Sequence, residues 1–105
     1  MEVITLQKVE DFLDTLETDT TAAVSRAIIR LENYGRNITM PHSKYIGDGL
    51  YELRIKGRQS IRIFYSFRRD GIYLLHAFIK KQDRIPIREL ELAKQCLNAL
   101  QRYNL

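Results

Sequence analysis

The sequence predicts an α+β fold, in which an αα-hairpin packs on one face of an antiparallel sheet and a C-terminal helix follows. Three observations support this prediction. Two helical patterns precede residue 36, three strand-length apolar runs lie in residues 47–81, and a third helical pattern ends the chain. The predicted order is β-α-α-β-β-β-α. Because 105 residues have room for one core, residues 1–105 are expected to form a single domain.

The elements before residue 36 are a short strand and two helices. Residues 2–6 alternate and are β-branched, which favours a strand at the sheet edge or paired with the last apolar run. Residues 8–16 have the spacing of an amphipathic helix. Its apolar stripe consists of Val9, Phe12, Leu13 and Leu16. A second helix follows the polar break at residues 17–20, and Gly35 is expected to end it because glycine tolerates left-handed backbone.

The three apolar runs in residues 47–81 follow residues 36–45, which contain Pro41 and are expected to form a loop. Polar breaks that contain glycine separate the runs, a pattern typical of an antiparallel meander. A polar connection then leads to Pro86, whose fixed φ suits the first turn of a helix over residues 87–103.

Side-chain alternation in the meander predicts a basic face. Successive side chains on a strand point to opposite faces, so Arg54, Lys56 and Arg62 are expected to share the face opposite the apolar stripe. With the helices on the other side, this basic face is expected to be partly open. The third run is apolar on both faces, which predicts cover on both sides, and it ends at Lys80 and Lys81.

The positive charge is concentrated in the second part of the chain. Residues 1–43 contain four Lys or Arg and seven Asp or Glu, which gives a net charge of −3. Residues 44–105 contain 13 Lys or Arg and six Asp or Glu, which gives a net charge of +7. A basic sheet within such an asymmetric chain suggests a polyanionic partner or substrate. The alternative is a solvated surface that keeps the protein soluble.

Composition argues against several classes of protein. The single cysteine, Cys96, cannot form an internal disulfide. No apolar run approaches the length of a membrane span, and the first residues do not resemble a secretory signal, so a cytoplasmic protein is expected. The glycines lie in turns, not in a phosphate loop before a helix, and the histidines and cysteine are far apart. No cofactor or metal site is expected.

A cluster of fixed positive charges suits phosphate chemistry without a metal. When an RNA 2′-hydroxyl attacks its adjacent phosphate, negative charge develops that guanidinium and ammonium groups stabilise. Crowding by other cations favours the neutral amine of a lysine, the form that a general base needs. Phe64 is expected on the basic face, where it either stacks an unpaired base or lies beneath a loop or helix. Arg58, in the turn after Lys56, is a further candidate RNA contact.

Several strings of residues together resemble the RelE/ParE toxin superfamily. They are Lys-Gly-Arg at residues 56–58, RIFY at 62–65, LLHAFIKK at 74–81, and Pro86 before an amphipathic helix. With GDGLYELRI at residues 47–55, the combination is most similar to the phage-related, HigB-like branch. The resemblance covers nearly the whole chain, including the αα-hairpin.

This resemblance implies the toxin of a type II toxin–antitoxin pair. RelE-like members cleave mRNA in the ribosomal A site without a metal, and an endoribonuclease of this kind is the expected function. The strand residues that would carry the catalysis are Arg54, Lys56 and Arg62, and the basic residue that follows the last strand would be Lys80 or Lys81. RelE has a tyrosine near its C-terminus that residues 82–90 lack here. HigB-like toxins use histidines, which makes His76 and His42 candidates, although His76 lies in an apolar strand typical of a core histidine.

The expected partners are mRNA, the ribosome and a cognate antitoxin that resembles a helix-turn-helix protein and forms a hetero-oligomer with the toxin. No membrane partner is expected. Two other functions remain open on the sequence. ParE-like members of the superfamily poison DNA gyrase and need no nucleolytic residues. A basic domain can also bind nucleic acid without cleaving it, with a steep dependence on salt concentration.

Overall fold

A computed structural model describes residues 1–69 and 71–103. In chain order its elements are β1 (Glu2–Thr5), α1 (Gln7–Leu13), α2 (Thr18–Tyr34), a 3-10 turn (Gly35–Asn37), β2 (Ser43–Gly47), β3 (Leu50–Ile55), β4 (Ile61–Arg68), β5 (Gly71–Ile79) and α3 (Ile87–Arg102). The strands of the described residues form one five-stranded sheet in the order β1-β5-β4-β3-β2. β1 lies at the edge of the sheet and runs parallel to β5, so both predicted placements hold, and the other neighbours are antiparallel. The α+β class is confirmed.

Strand β2 lies where a loop was predicted, so that prediction is wrong for its last residues. The missed signal is the dipeptide Asp48-Gly49, whose φ angles of 54° and 83° are both positive. A two-residue turn with both φ angles positive matches the twist of a hairpin and joins β2 to β3. The Tyr45 ring packs on Tyr51 with centroids 4.9 Å apart, which helps to hold this edge strand in place.

Helices cover both faces of the sheet, and each face has its own core. The first core lies between the sheet and the α1–α2 hairpin. Its buried side chains are Val9, Val24, Ala27, Leu31, Leu53, Ile55, Ile61, Ile63, Tyr65, Ile72, Leu74 and Ala77. The second core lies between the sheet and α3. Its buried side chains are Leu50, Phe64, Leu75, Phe78, Ala93, Leu97 and Leu100. The cover predicted on both sides of the last strand is therefore confirmed for β5.

The second core corrects the prediction of an open basic face. Phe64, Leu75 and Phe78 give that face an apolar area of its own, and α3 packs on it through residues such as Leu97. Apolar area removed from water contributes roughly 25 cal/mol per Å², which favours this cover over exposure. The basic residues therefore occupy only the part of the face beside β3 and the end of the sheet. None of the helices in the described part of the chain is long and apolar enough to cross a membrane.

The hydroxyl of Tyr65 is buried in the first core and hydrogen bonds to the Ser43 hydroxyl. Replacing Tyr65 with phenylalanine is expected to lower the free energy of unfolding by about 1–2 kcal/mol, because the buried Ser43 hydroxyl loses its partner. The double variant Tyr65→Phe/Ser43→Ala should recover part of this loss. Urea denaturation measures both, and a single variant as stable as wild type would contradict the role assigned to this pair.

Burial raises the pKa of Tyr65 from its usual value of 10.0, and the hydrogen bond between Tyr65 and Ser43 opposes that rise. The folded state therefore favours the neutral phenol more than the unfolded state does. This contribution to stability is fully present below pH 10.0 and is lost as the pH rises through the higher pKa of the folded state. The Tyr65→Phe variant should lack this part of the decrease in stability at alkaline pH.

Candidate functional site

Strands β3 and β4 place Arg54 directly opposite Arg62. Glu52 precedes Arg54 by two residues and therefore points to the same face. Its Oε1 lies 3.5 Å from Arg54 Nε and its Oε2 lies 3.7 Å from Arg62 Nε. The side chains of Glu52 and Arg62 are only 4% and 5% exposed, whereas that of Arg54 is 22% exposed. One buried carboxylate thus holds two guanidinium groups together, and the excess positive charge faces solvent through Arg54.

The contacts in this arginine pair are ionic rather than well-formed hydrogen bonds. Glu52 Oε2, Arg54 Nε and Arg62 Nε have no hydrogen-bond partner among the residues the structure describes. Arg62 donates one hydrogen bond, to the carbonyl oxygen of Ile61, at 3.2 Å. Burial lowers the pKa of Arg62 from its usual value, Glu52 raises it and Arg54 lowers it further. Glu52 carries one negative charge against the two positive charges of Arg54 and Arg62. The remaining positive charge would stabilise a second anion beside Arg54.

Two lysines lie beyond the arginine pair at the end of the sheet. Ile55 is paired with Ile61, and Ile61 with Ile79, so Lys56 and Lys80 leave the sheet at the same end. The Lys80 N–H donates to the carbonyl oxygen of Ser60 at 2.8 Å, which extends the β4–β5 ladder by one residue. Lys56 is exposed, Lys80 is half-buried and the next residue, Lys81, is exposed.

Each of the three residues predicted to contact RNA has a partner of its own in the structure. Arg58 Nη1 forms an exposed ion pair with Glu17 Oε2 at 3.5 Å, close to the start of α2. His76 Nε2 lies 2.9 Å from Glu89 Oε2, so this ring links β5 to α3. Phe64 is completely buried and packs against the Phe78 ring, with centroids 5.6 Å apart. The stacking role predicted for Phe64 is wrong for this structure, because α3 covers the ring.

A cleft of about 230 Å³ lies between α2 and the last residues of β3. Its lining residues are Ala23, Arg26, Ala27, Arg30, Pro41, His42, Arg54, Ile55 and Lys56. None of these lining residues is acidic, and we call this space the cationic cleft. It is open because β2 begins only at Ser43, opposite Leu53, and leaves the end of β3 without a neighbouring strand on that side. The Arg54 N–H donates instead to the carbonyl oxygen of His42 at 2.9 Å.

Arg26 and Arg30 are the site residues that the sequence interpretation missed. Their spacing of four places both on one side of α2, which was visible in the sequence. The small side chains of Ala23 and Ala27 line the same cleft and leave room between the helix and β3. Only the packing of α2 on the sheet shows that this side of the helix faces the last residues of β3.

A second space, of about 180 Å³, adjoins the cationic cleft and shares Arg30 and His42 with it. Its other lining residues are Tyr34, Asn37, Ile38 and Thr39. We call it the Tyr34 cleft. Within residues 1–69 and 71–103, no group of three or more His, Cys, Asp or Glu side chains is placed to hold a metal ion. The polar groups that line the two clefts are those of Arg26, Arg30, Arg54, Lys56, His42, Tyr34, Asn37 and Thr39.

Comparison with known protein families shows which family the chain belongs to. Residues 11–98 match the model of the family described as "Phage derived protein Gp49-like (DUF891)". The match includes every residue that lines the cationic cleft. No curated protein matches the sequence at a significant level. The family lies in the clan of RelE/HigB-type toxins, so the resemblance noted in the sequence is confirmed at the level of the clan. The chain belongs to the phage-derived, toxin-like Gp49-like family.

Proposed function

We propose that the protein is the toxin of a type II toxin–antitoxin pair and cleaves ribosome-bound mRNA as a HigB-like endoribonuclease. The observation that carries this proposal is the cationic cleft, which is lined by Arg26, Arg30, Arg54 and Lys56 and by no acidic residue. Such a concave, positive surface attracts phosphates and concentrates a polyanionic substrate. Membership of a toxin-like family supports the biological role.

In the proposed mechanism, Arg54 binds the scissile phosphate. Arg54 is the more exposed member of the arginine pair and is among the residues that line the cationic cleft. Negative charge grows on the phosphoryl oxygens as the 2′-oxygen attacks, and a guanidinium fixed in advance stabilises it without reorganisation. Arg62 is too buried to bind RNA directly, so it acts as a positioning residue that adds positive charge behind Arg54.

Proton transfer needs a base for the 2′-hydroxyl and an acid for the departing 5′-oxygen. Lys56 and His42 both line the cationic cleft and are the candidate bases. Lys80 or Lys81, at the same end of the sheet, would assist the leaving group. The 2′-oxygen bonds to phosphorus as the bond from phosphorus to the 5′-oxygen breaks. The products are a 2′,3′-cyclic phosphate and a 5′-hydroxyl, and no metal is needed for this step.

The proposed partners follow from the same surface. An antitoxin would neutralise the toxin by covering the cationic cleft with an acidic segment, and we expect a helix-turn-helix protein in this role. Arg58 is exposed near the same end of the sheet and would contact RNA outside the cleft, whereas His76 would act only by positioning α3. The protein would work in the cytoplasm, where its mRNA substrate is translated.

Expression in a bacterial host without the antitoxin tests the proposed function. Growth arrest with new cuts inside translated frames is the expected result. Arrest with intact mRNA and damaged DNA would contradict it and would indicate a gyrase poison of the ParE class. Salt-sensitive RNA binding by the purified protein, with neither arrest nor cleavage, would indicate a binding module instead.

Removing the α2 arginines should weaken RNA binding without changing which sequences are preferred. Each residue is proposed to neutralise one phosphate, so Arg26→Gln/Arg30→Gln should reduce the slope of log K against log salt by about 1.4, or 0.7 for each contact. The control is Arg102→Gln, which removes an exposed charge at the end of α3. Fluorescence anisotropy at several salt concentrations measures both. An unchanged slope in the double variant would show that these arginines do not contact RNA.

A further inference from the structure

The Tyr34 cleft continues the cationic cleft along the C-terminal part of α2. Arg30 and His42 line both spaces, so a bound chain can pass from one into the other without leaving the protein surface. The two clefts differ in chemistry. The cationic cleft contributes guanidinium and ammonium groups, whereas the Tyr34 cleft contributes an aromatic ring, the amide of Asn37 and the hydroxyl of Thr39.

Tyr34 presents its ring to this space. It is the last residue of α2, and its exposed fraction is 59%. The next residue, Gly35, has a positive φ of 52° and turns the chain into the 3-10 segment. Asn37 in that segment and Thr39 after it also line this cleft. The exposed Tyr45, by comparison, is packed on Tyr51 and its hydroxyl accepts a hydrogen bond from the Gly49 N–H.

Single-stranded nucleic acid is bound by this combination of groups. Cations hold the phosphates, an aromatic ring stacks on an unpaired base, and amide or hydroxyl side chains hydrogen bond to the edge of that base. Asn37 offers both a donor and an acceptor for such an edge. Phe64, which the sequence suggested for stacking, is buried, whereas Tyr34 is exposed and lines the same cleft as Arg30.

We propose that the Tyr34 cleft is a nucleobase subsite for single-stranded RNA. In it the Tyr34 ring stacks on a base whose neighbouring phosphate is held by Arg30. This inference rests on the proposed function and deepens it, because it assigns a base-binding residue to the α2 end of the site.

The binding test uses an oligonucleotide that the enzyme cannot cleave. A short 2′-O-methyl RNA lacks the attacking hydroxyl, and its affinity for the purified full-length protein is measured by fluorescence anisotropy at low salt. Tyr34→Ala should bind about 5- to 100-fold more weakly, the loss expected for one base–aromatic stack. Tyr34→Phe keeps the ring face and should retain most of the affinity. Tyr103→Ala, which removes a 71% exposed ring from the end of α3, should bind as wild type does.

An abasic version of the same oligonucleotide separates stacking from other effects. Wild type should bind the abasic chain more weakly, whereas Tyr34→Ala should lose much less, because only the polar contacts of Asn37 and Thr39 to the base edge remain to be removed. Equal binding of the intact oligonucleotide by wild type and Tyr34→Ala would overturn the subsite, as expected if this surface contacted a protein instead. An additive loss on the abasic chain, or no binding by wild type, would also overturn it. Circular dichroism confirms that each variant is folded.

The subsite and the cleavage activity can fail independently. If wild type cleaves mRNA but binds every oligonucleotide as Tyr34→Ala does, the subsite is wrong and the proposed function stands. If wild type shows the Tyr34-dependent preference for intact bases but neither cleaves RNA nor arrests growth, the subsite is supported and the endoribonuclease proposal is wrong.

Discussion

Replacing Arg54 with alanine is expected to abolish growth arrest and to slow RNA cleavage by about 100- to 1,000-fold, the effect typical of removing one charge-stabilising donor. Arg54 is the partly exposed member of the arginine pair and lines the cationic cleft, so the proposed mechanism gives it direct contact with the scissile phosphate. Growth after induction and the rate of cleavage of a translated mRNA measure the two effects.

Two controls make the Arg54 result specific. Arg54→Lys keeps the charge but loses the planar guanidinium that binds two phosphate oxygens at once. Its cleavage rate and toxicity should therefore lie between those of wild type and of Arg54→Ala. Arg102→Ala removes an exposed arginine at the end of α3 and should retain full toxicity. An Arg54→Ala protein that folds normally and arrests growth as strongly as wild type would contradict the assignment.

Replacing Glu52 with glutamine is expected to give the largest loss of stability among the substitutions considered, about 3 kcal/mol in the free energy of unfolding. The glutamine is nearly the same size but leaves Arg54 and Arg62 opposite each other without a compensating charge. The expected loss is at the lower end of the range for a broken buried ion pair. The contacts are 3.5 and 3.7 Å long, and Arg54 is partly exposed to water, which screens its charge.

A second variant tests whether charge, rather than packing, explains this loss. Arg62→Met in the Glu52→Gln background removes one of the two uncompensated guanidinium groups, and it should restore part of the lost stability. Urea denaturation of the wild type and both variants measures the difference. A Glu52→Gln protein as stable as wild type would show that the buried carboxylate is not needed to hold the arginine pair.

Local patterns in the sequence predicted most of the fold. Apolar residues recur with the period of a helix in the two hairpin segments and in the last segment. This pattern depends only on residues close in sequence, and all three predicted helices form. Alternation in the meander predicted that Arg54 and Arg62 share a face, and they are directly opposite each other in the sheet. Both predictions needed only the geometry of a single helix or strand.

The features that were missed depend on contacts between distant segments. Alternation placed Phe64 on the basic face, but it could not show that α3 returns to cover that ring. Arg26 and Arg30 follow a helical spacing that does not reveal which element they face. Strand β2 is short, and its pairing with β3 depends on the two-residue turn that the apolar pattern did not mark.

The chemical nature of the RNA ends tests the central claim most directly. After induction of the wild-type protein, mRNA 5′ ends are sequenced with and without prior phosphorylation by polynucleotide kinase. The proposed attack by the 2′-hydroxyl predicts new ends inside translated frames that are captured only after phosphorylation. The upstream fragments should end in a 2′,3′-cyclic phosphate. New ends that carry a 5′-phosphate and a 3′-hydroxyl, or growth arrest without new ends, would contradict cleavage by this cluster of arginines and lysines.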